Sequence, residues 1–314
     1  MIYGLKQALC AWNIQFHGVL LELSFTHMYS NAGIYMYHHQ DGEGILIIIL
    51  YVNDITLLGN KIDEIKRIKS TLASHYKMTD LGKIDSYLGV QITHDRSIKH
   101  LEIDQSHYIL EIINCFGMVN ANSMCTPLPA GTEVHLIKHD GEANTSEIKY
   151  YQQIIGSLLY VQIGTYPDIS FTVLDLMQYA ANPSPQHMHL AKYVLSYLKG
   201  TVDLHLCYDG AWGDGLHGYS DSSLGDDAND CHSILGYVFL LADAAISWTS
   251  CKQKMVAQST THAEYMALAD AANQAIWCQS FLSELGYKVL VQLESSSLPP
   301  HYFTHPLIHS SPVL

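Results

Sequence analysis

One stretch of the sequence, ILYVNDITLLG from Ile49 to Gly59, restricts the fold more than any other. It continues a run of isoleucines and leucines, so that an unbroken apolar segment extends from Ile45 to Val52. This segment is far shorter than the roughly 20 residues that a membrane-spanning helix needs, and it is typical of a buried strand. The polar step at Asn53 and Asp54, followed by further apolar residues, predicts a hairpin with a carboxylate at its tip.

The chain has 314 residues, of which 48% are hydrophobic and 15% are charged, which is enough for about two domains with their own cores. Segments with strand-like and helix-like patterns succeed each other, so the predicted fold class is α+β or α/β. The formal net charge of -14 is unfavourable for a protein that binds nucleic acid. A nucleic-acid function would need bound metal ions to offset this charge, or basic segments belonging to a larger protein.

The seven cysteines include no CxxC pair, and their odd number argues against a complete disulfide framework. We therefore expect a reducing, intracellular environment, with no signal peptide and no membrane span. The nineteen histidines show neither HExxH nor paired zinc-binding spacing. The sequence therefore disfavours a dedicated histidine metal site.

The Asn53–Asp54 step has two interpretations. Carboxylates at a tight hairpin project outward together and can hold Mg2+ ions for phosphoryl transfer. Asparagine and aspartate are also common in ordinary turns, and on spacing alone the turn is favoured.

A second pair of carboxylates has the same ambiguity. Asp221 ends a predicted strand and Glu264 lies in the first turns of a predicted helix, an arrangement that could place them face to face. Singly, each is more typical of a surface carboxylate, and Glu264 could simply complement the positive end of its helix. The loop that follows, with Asp226, Asp227 and Asp230, is predicted to be a solvated acidic run.

Several motifs, in a constant order, resemble the Pol polyprotein of copia-type (LTR) retrotransposons. YGLKQALCAWN is similar to that family's YGLKQAPRAWY, and ILYVNDITLLGN to its LLYVDDILITG. YYQQIIGSLLYVQIGTYPDISF and AKYVLSYLKGT are similar to its YRSLVGSLLYLTVTRPDISF and AKRVLRYLKGT. The segment that begins GYSDSS and ends THAEYMALADAA resembles its ribonuclease H block. The matches run from Ile2 to about Gly286.

The resemblance implies a modular organisation. We expect the end of a reverse-transcriptase palm and its thumb at residues 1–120, and a ribonuclease H-like domain with a mixed sheet, truncated, at residues 203–287. The segment LHLCYD would supply the first strand of that domain. Between the two lie a linker at 121–147, rich in Pro, Gly, Asn, Ser and Thr, and a helical connection at 148–202. A divergent tail occupies 288–314.

The resemblance also implies the site residues. Asp54, with position 53, corresponds to the polymerase metal site, while Asp221 and Glu264 correspond to two metal carboxylates of ribonuclease H, for Mg2+ or Mn2+. The family has aspartate where this chain has Asn53, whose neutral amide cannot neutralise a dication. Another palm aspartate of the family lies upstream of YGLKQA. The third ribonuclease H carboxylate belongs to a later DN motif, and Asp270, six residues beyond Glu264, is a poor substitute.

A further departure is the change of the family's TRPDI to TYPDI, which puts Tyr166 in place of a cation that we expect to contact phosphate. Together these features predict a fragment of an RNA-directed DNA polymerase with ribonuclease H, whose catalysis is impaired. Its ancestral partners would be an RNA–DNA hybrid or a primer-template. The alternative is a non-catalytic remnant that acts, if at all, as a protein or nucleic-acid interaction module.

Overall fold

The structure is a computed structural model that describes residues 6–39, 44–129, 136–210, 215–295 and 309–310. It contains two compact units, Met1–Ile84 with Trp277–Lys288, and Asp85–Ile276 with Val289–Leu314. Both contain helices and sheets, which confirms the mixed α/β class. None of the helices in the described part of the chain is long and apolar enough to cross a lipid bilayer.

The first unit is built on a four-stranded antiparallel sheet with strand order β1-β2-β3-β4. Its elements are α1 (Lys6–Glu22), β1 (Thr26–His27), β2 (Ile34–His38), β3 (Ile45–Tyr51), β4 (Asp54–Gly59) and α2 (Ile62–His75). On one face of β3, the alternate side chains of Leu46, Ile48 and Leu50 are buried in a core that α1 and α2 share, with Phe16 and Leu72 among its members.

The other face of β3 is covered as well. Ile45, Ile47 and Ile49 pack against a second cluster, made of Met28, Ile34, Met36, Phe281 and Leu285. The last two belong to the segment Trp277–Lys288. The carboxylate of Glu284 in this segment accepts hydrogen bonds from the backbone N–H groups of Tyr29 and Ser30, at 2.6 and 3.0 Å, and these bonds hold the segment to the rest of the unit. Because both faces are covered, β3 is an uninterrupted apolar run rather than an alternating one.

The turn between β3 and β4 contains two residues, Val52 and Asn53, because Tyr51 pairs directly with Asp54. Val52 has φ +54°, a left-handed conformation that a β-branched residue rarely adopts. A positive φ at the first turn residue fits the twist of a two-residue hairpin. The indole Nε1 of Trp12 donates a hydrogen bond of 3.1 Å to the carbonyl of Val52, and so helps to hold this strained turn in place.

In the described part of the chain, the second unit contains two sheets, four complete helices and most of a fifth helix. Its elements up to residue 200 are β5 (Ser86–Tyr87), β6 (Val90–Asp95), β7 (His100–Asp104), α3 (Ser106–Cys115), α4 (Thr145–Gly164), a short 3-10 turn (Pro167–Ile169), α5 (Ser170–Met177) and α6 (Pro185–Gly200). Those that follow are β8 (Leu204–Asp209), β9 (Leu216–Ser223), β10 (Ile234–Leu241), β11 (Ala244–Lys252), α7 (Thr260–Glu284), β12 (Val291–Ser295) and β13 (His309–Ser310). The end of α7 belongs to the first unit.

One sheet of this unit is mixed, with strand order β11-β10-β9-β12. Strands β9, β10 and β11 are successively antiparallel, whereas β12 runs parallel to β9. The other sheet, β13-β8-β7-β6-β5, is antiparallel throughout.

The segment LHLCYD, predicted to be a strand near the start of the last block, does not join the mixed sheet. This segment is β8, and it pairs with β7 in the antiparallel sheet, from Ile103↔Leu206 to His100↔Asp209. The alternation of apolar residues in LHLCYD identifies a strand but carries no information about its partner.

The helices of residues 148–202 and the mixed sheet share one hydrophobic core. Buried residues of α4 and α6, such as Leu158 and Val194, belong to the same cluster as Val238 and Ala245 of β10 and β11. The indole of Trp248 on β11 adds a hydrogen bond of 3.0 Å to the carbonyl of Gln162 on α4. The boundary predicted at residue 202, between the helical connection and the ribonuclease H-like domain, stays a prediction. In the structure the residues on its two sides belong to one hydrophobic core.

The described part of residues 121–147 has no helix or strand before α4 begins at Thr145. It is nevertheless held by hydrogen bonds, since Tyr179 donates to the Leu136 carbonyl at 2.7 Å and Ala143 N–H donates to Asn182 Oδ1 at 2.9 Å. Asn144 then caps α4 through a capping box with Glu147. Within the described residues, the end of this segment from Leu136 to Asn144 is therefore held against the helices of the unit.

Replacing Ile48 by alanine is expected to destabilise the first unit by about 2–5 kcal/mol, because the side chain is fully buried and its loss leaves a cavity. Leu58→Ala on β4 is the matched control, since Leu58 is 40% exposed, and its cost should stay below about 1 kcal/mol. Hydrogen exchange of peptides from β3 and β4 in rising urea measures both. Equal losses would contradict the burial of β3.

Replacing Val52 by glycine is expected to stabilise the hairpin by roughly 0.5–1 kcal/mol, because relief of the left-handed strain exceeds the entropy that glycine adds to the unfolded chain. Val119→Gly is the control. Val119 is similarly exposed but lacks a positive φ, so the same change should destabilise. Hydrogen exchange in rising urea is followed on peptides of β3 and β4 for V52G and on peptides around residue 119 for V119G. A loss in V52G as large as that in V119G would exclude strain at the turn.

Candidate functional site

The hairpin tip presents Asn53 and Asp54 to solvent at the end of β3 and β4. Tyr51 and Val52 beside them are 54% and 46% exposed, so the whole tip projects from the sheet. The side chains offer one carboxylate and one amide. An amide oxygen coordinates a hard cation only as a neutral dipole, so the tip supplies a single negative charge.

The structure brings Asp221 and Glu264 together in the second unit. Asp221 is an exposed residue near the end of β9, and Glu264 is a half-buried residue in the second turn of α7. The N–H of Ser222 donates to Asp221 Oδ1 at 2.8 Å, and it also bonds to the carboxyl group of Glu264. The two carboxyl groups are themselves in hydrogen-bonding contact.

This contact changes the protonation of Glu264. Burial raises the pKa of its carboxyl group, and the negative charge of Asp221 raises that pKa further. The backbone N–H of Ser222 opposes the shift, because it stabilises the charged form. Two adjacent carboxylates that repel each other favour a shared proton or a bound cation, and hard oxygen ligands of this kind suit Mg2+ or Mn2+.

The acidic loop after β9 agrees only in part with the predicted solvated run, since Asp226 and Asp230 are exposed but Asp227 is not. Asp227 is buried, and its carboxylate pairs with Lys252 Nζ at 2.5 Å. Asp230 pairs with the same ammonium group at 2.9 Å. The hydrogen bond from Lys252 is the chief cause that holds the pKa of Asp230 below its usual range. Burial raises the pKa of Asp227, but the hydrogen bonds from Lys252 and Asn229, with the positive charge of Lys252, together lower it. Because Lys252 compensates both charges, the loop stabilises structure and is not a vacant cation site.

Asp270 does not join the pair of Asp221 and Glu264. It is an exposed residue of α7 close to Cys251, where burial chiefly raises the pKa of the thiol and the charge of Asp270 adds to that shift. Within the part of the chain that the structure describes, neither the hairpin tip nor the pair gathers three side-chain metal ligands. The single group of three donors found among these residues lies on β7 and β8, where sequence spacing had indicated no metal site.

The expectation about Tyr166 needs correction. Its side chain is fully buried, and its hydroxyl donates a hydrogen bond to the Thr201 carbonyl at the end of α6. The neighbouring Asp168 is half-buried and accepts a hydrogen bond from Tyr197, and the partial burial of its carboxyl group raises its pKa. Position 166 therefore contributes to the packing between the turn before α5 and α6, and a side chain there is not placed to contact phosphate.

Comparison with known proteins agrees with the motifs. The family described as "Reverse transcriptase (RNA-dependent DNA polymerase)" matches residues 1–130. The chain is 34% identical over 291 residues to the retrovirus-related Pol polyprotein from transposon TNT 1-94 of Nicotiana tabacum. This match covers 91% of the present chain and 22% of the tobacco protein. The corresponding polyprotein from transposon RE2 of Arabidopsis thaliana is 33% identical over 92% of this chain and 19% of its own length.

The chain thus spans about a fifth of the length of these polyproteins. A shorter relative, the putative transposon Ty5-1 protein of Saccharomyces cerevisiae, is 32% identical over 277 residues, and the match covers 86% of each chain. A match of this extent to a protein of similar length, together with the ordered motifs and the reverse-transcriptase segment, confirms the resemblance. The chain belongs to the family of copia-type retrotransposon Pol polyproteins.

Proposed function

We propose that this chain is the later part of a retrotransposon RNA-directed DNA polymerase joined to a ribonuclease H module, and that its catalysis is impaired. The observation that carries the proposal is the contact between the carboxyl groups of Asp221 and Glu264. Groups of like charge are not brought together for stability, and their convergence is typical of sites that hold a cation.

The surrounding topology supports the ribonuclease H module. Asp221 lies on β9, which has an antiparallel neighbour on one side and the parallel strand β12 on the other. The helix that carries Glu264, α7, follows β11 in the chain and precedes β12. A strand aspartate that faces a helix glutamate on a mixed sheet is the arrangement that the family resemblance leads us to expect.

The pair fits a divalent cation in its donor type and charge. The Asp221 and Glu264 carboxylates would hold the ion, and the rest of its coordination shell would be left to water and phosphate oxygens. Such an ion would supply charge neutralisation at a phosphodiester of the bound nucleic acid. The protein's own contribution is to hold both carboxylates near the end of the inner strand β9 and to orient them through the Ser222 N–H.

The hairpin tip does not fit the same role. Asn53 replaces the charged ligand, so that Asp54 is left with one neutral neighbour, and no polymerisation step is assigned to it. The net charge of -14 further weakens attraction to a polyanionic template. The replacement at Asn53 supports impaired catalysis at the tip, and the net charge supports weak binding of nucleic acid at both sites.

Assays for activity test the impairment. The chain is incubated with an RNA–DNA hybrid, and separately with a primer-template and nucleotides, in Mg2+ or Mn2+. The control for hybrid cleavage is an Asp221→Asn/Glu264→Gln double variant. The control for primer extension is Asp54→Asn. We expect no cleavage and no extension above these controls. Product from the original chain that the matching variant lacks would contradict the proposed impairment.

Cation binding tests the site independently of activity. Mn2+ titration followed by electron paramagnetic resonance should show a weak site in the original chain. In the double variant the Mn2+ affinity should be at least about tenfold lower. Asp270→Asn is the matched control, because it removes one carboxylate from the same helix away from the pair. Binding that is unchanged in the double variant would refute the assignment of Asp221 and Glu264.

Removal of the repulsion predicts a stability effect. The pKa of Glu264 is raised in the folded state, so stability falls as pH rises through that pKa. Without divalent cations at neutral pH, Glu264→Gln should therefore be more stable than the original chain, by a few tenths to about 1 kcal/mol after allowance for solvent screening. The gain should disappear below the pKa of glutamate. Urea unfolding at several pH values measures it, with Asp270→Asn as control, and a loss of stability in E264Q would contradict the prediction.

A further inference from the structure

Four side chains with metal-binding atoms lie on one face of the β7–β8 pair. His100 and Glu102 are two residues apart on β7, and His205 and Cys207 are two residues apart on β8. Residues two apart on a strand share a face, and the register pairs Glu102 directly with Cys207. The opposite face carries Ile103, Leu206 and Tyr208 and belongs to the hydrophobic core.

The donor atoms are close to one another. Nε2 of His100 is 3.0 Å from Oε1 of Glu102, and Nδ1 of His205 is 3.5 Å from Oε2 of the same carboxylate. One ligand atom each of His100, Glu102 and Cys207 lie within 4.8 Å of one another. Ligands of tetrahedral zinc are about 3.3–3.8 Å apart, given bonds of about 2.0–2.3 Å. The group of three therefore needs only a small adjustment of side chains to reach the dimensions of a zinc site, and His205 adjoins it through its 3.5 Å contact with Glu102.

The environment also suits an ion. The side chains of His100, Glu102 and His205 are 31%, 18% and 20% exposed, so the site is largely enclosed and still accessible from solvent. Nδ1 of His205 is buried and has no hydrogen-bond partner within the described residues. A buried imidazole nitrogen that faces a carboxylate without a hydrogen bond is a polar group whose burial a metal ion would compensate.

We propose that His100, Glu102, His205 and Cys207 form a binding site for a zinc-type transition metal. Thiolate and imidazole ligands favour Zn2+ over the hard cations Mg2+ and Ca2+. Four protein ligands leave no open position, which is typical of a structural site. The ion would join β7 to β8, strands that are roughly a hundred residues apart in the chain and whose connection closes a long loop. This site is independent of Asp221 and Glu264 and of the proposed function.

Cobalt and zinc titrations of the full chain, after chelator treatment and removal of the chelator, test the proposal. Co2+ should bind at one equivalent, with the visible bands of a tetrahedral site and a thiolate-to-metal charge-transfer band in the near ultraviolet. Zn2+ should displace it. In Cys207→Ser the charge-transfer band should be lost, and in both Cys207→Ser and His205→Ala the Zn2+ affinity should fall at least about tenfold.

Two controls match these variants. His94→Ala removes an exposed histidine of β6. His94 pairs with Leu101 and therefore lies on the opposite face of the sheet from Glu102. Cys125→Ser removes an exposed cysteine outside the strands. Both should bind Co2+ and Zn2+ like the original chain. Loss of the charge-transfer band in C125S, or its retention in C207S, would overturn the assignment.

A measurement on the unmodified chain covers the case in which a variant does not fold. Thiol alkylation, mapped by mass spectrometry with and without Zn2+, should show Cys207 protected at least about tenfold by the ion. Cys125 and Cys115, both exposed, should react at unchanged rates. Equal labelling of Cys207 in both conditions, or no one-equivalent Co2+ binding, would show that the four residues form only hydrogen bonds and ion pairs.

Discussion

Side chains alternate between the two faces of every strand. Whether one or both faces pack in a hydrophobic core decides the role of each strand in this protein. In β3 both faces are covered, so Leu46 and Ile48 enter one core while Ile47 and Ile49 enter another. That double burial anchors the hairpin whose tip carries Asp54. In β7 and β8 only one face enters the core, and the other collects His100, Glu102, His205 and Cys207. The same alternation thus produces a rigid support in one unit and a polar cluster in the other.

Two groups of acidic side chains in the second unit show how charge separates a stabilising cluster from a candidate site. Asp227 and Asp230 share Lys252, so their negative charge is compensated within the protein. At Asp221 and Glu264 two carboxyl groups meet, and burial, reinforced by the negative charge of Asp221, raises the pKa of Glu264. The first arrangement stabilises the fold at neutral pH. The second opposes folding and is typical of positions where function, present or ancestral, sets the residues.

Much of the fold could be predicted from sequence because helical and strand periods are local properties. The helical connection predicted at residues 148–202 contains α5, α6 and most of α4. The convergence of Asp221 and Glu264 was anticipated from the motifs that contain them. Partners of strands are a different matter, because LHLCYD has the pattern of a strand in either sheet and in fact pairs with β7. The burial of Tyr166 was likewise missed, since a motif identifies a position but not its surroundings.

The sequence by itself determined the family, the hairpin with its Asn53–Asp54 step, and most helices, because these depend on residues that are neighbours in the chain. It also contained a signal that was overlooked, the pairs His100-x-Glu102 and His205-x-Cys207, whose spacing of two places each pair on one strand face. Only the tertiary structure decided that these two pairs adjoin, that Lys252 reaches the acidic loop, and that β3 is covered on both faces. The physical reason is that register, pairing and charge compensation join residues far apart in the chain, and local periodicity carries no information about them.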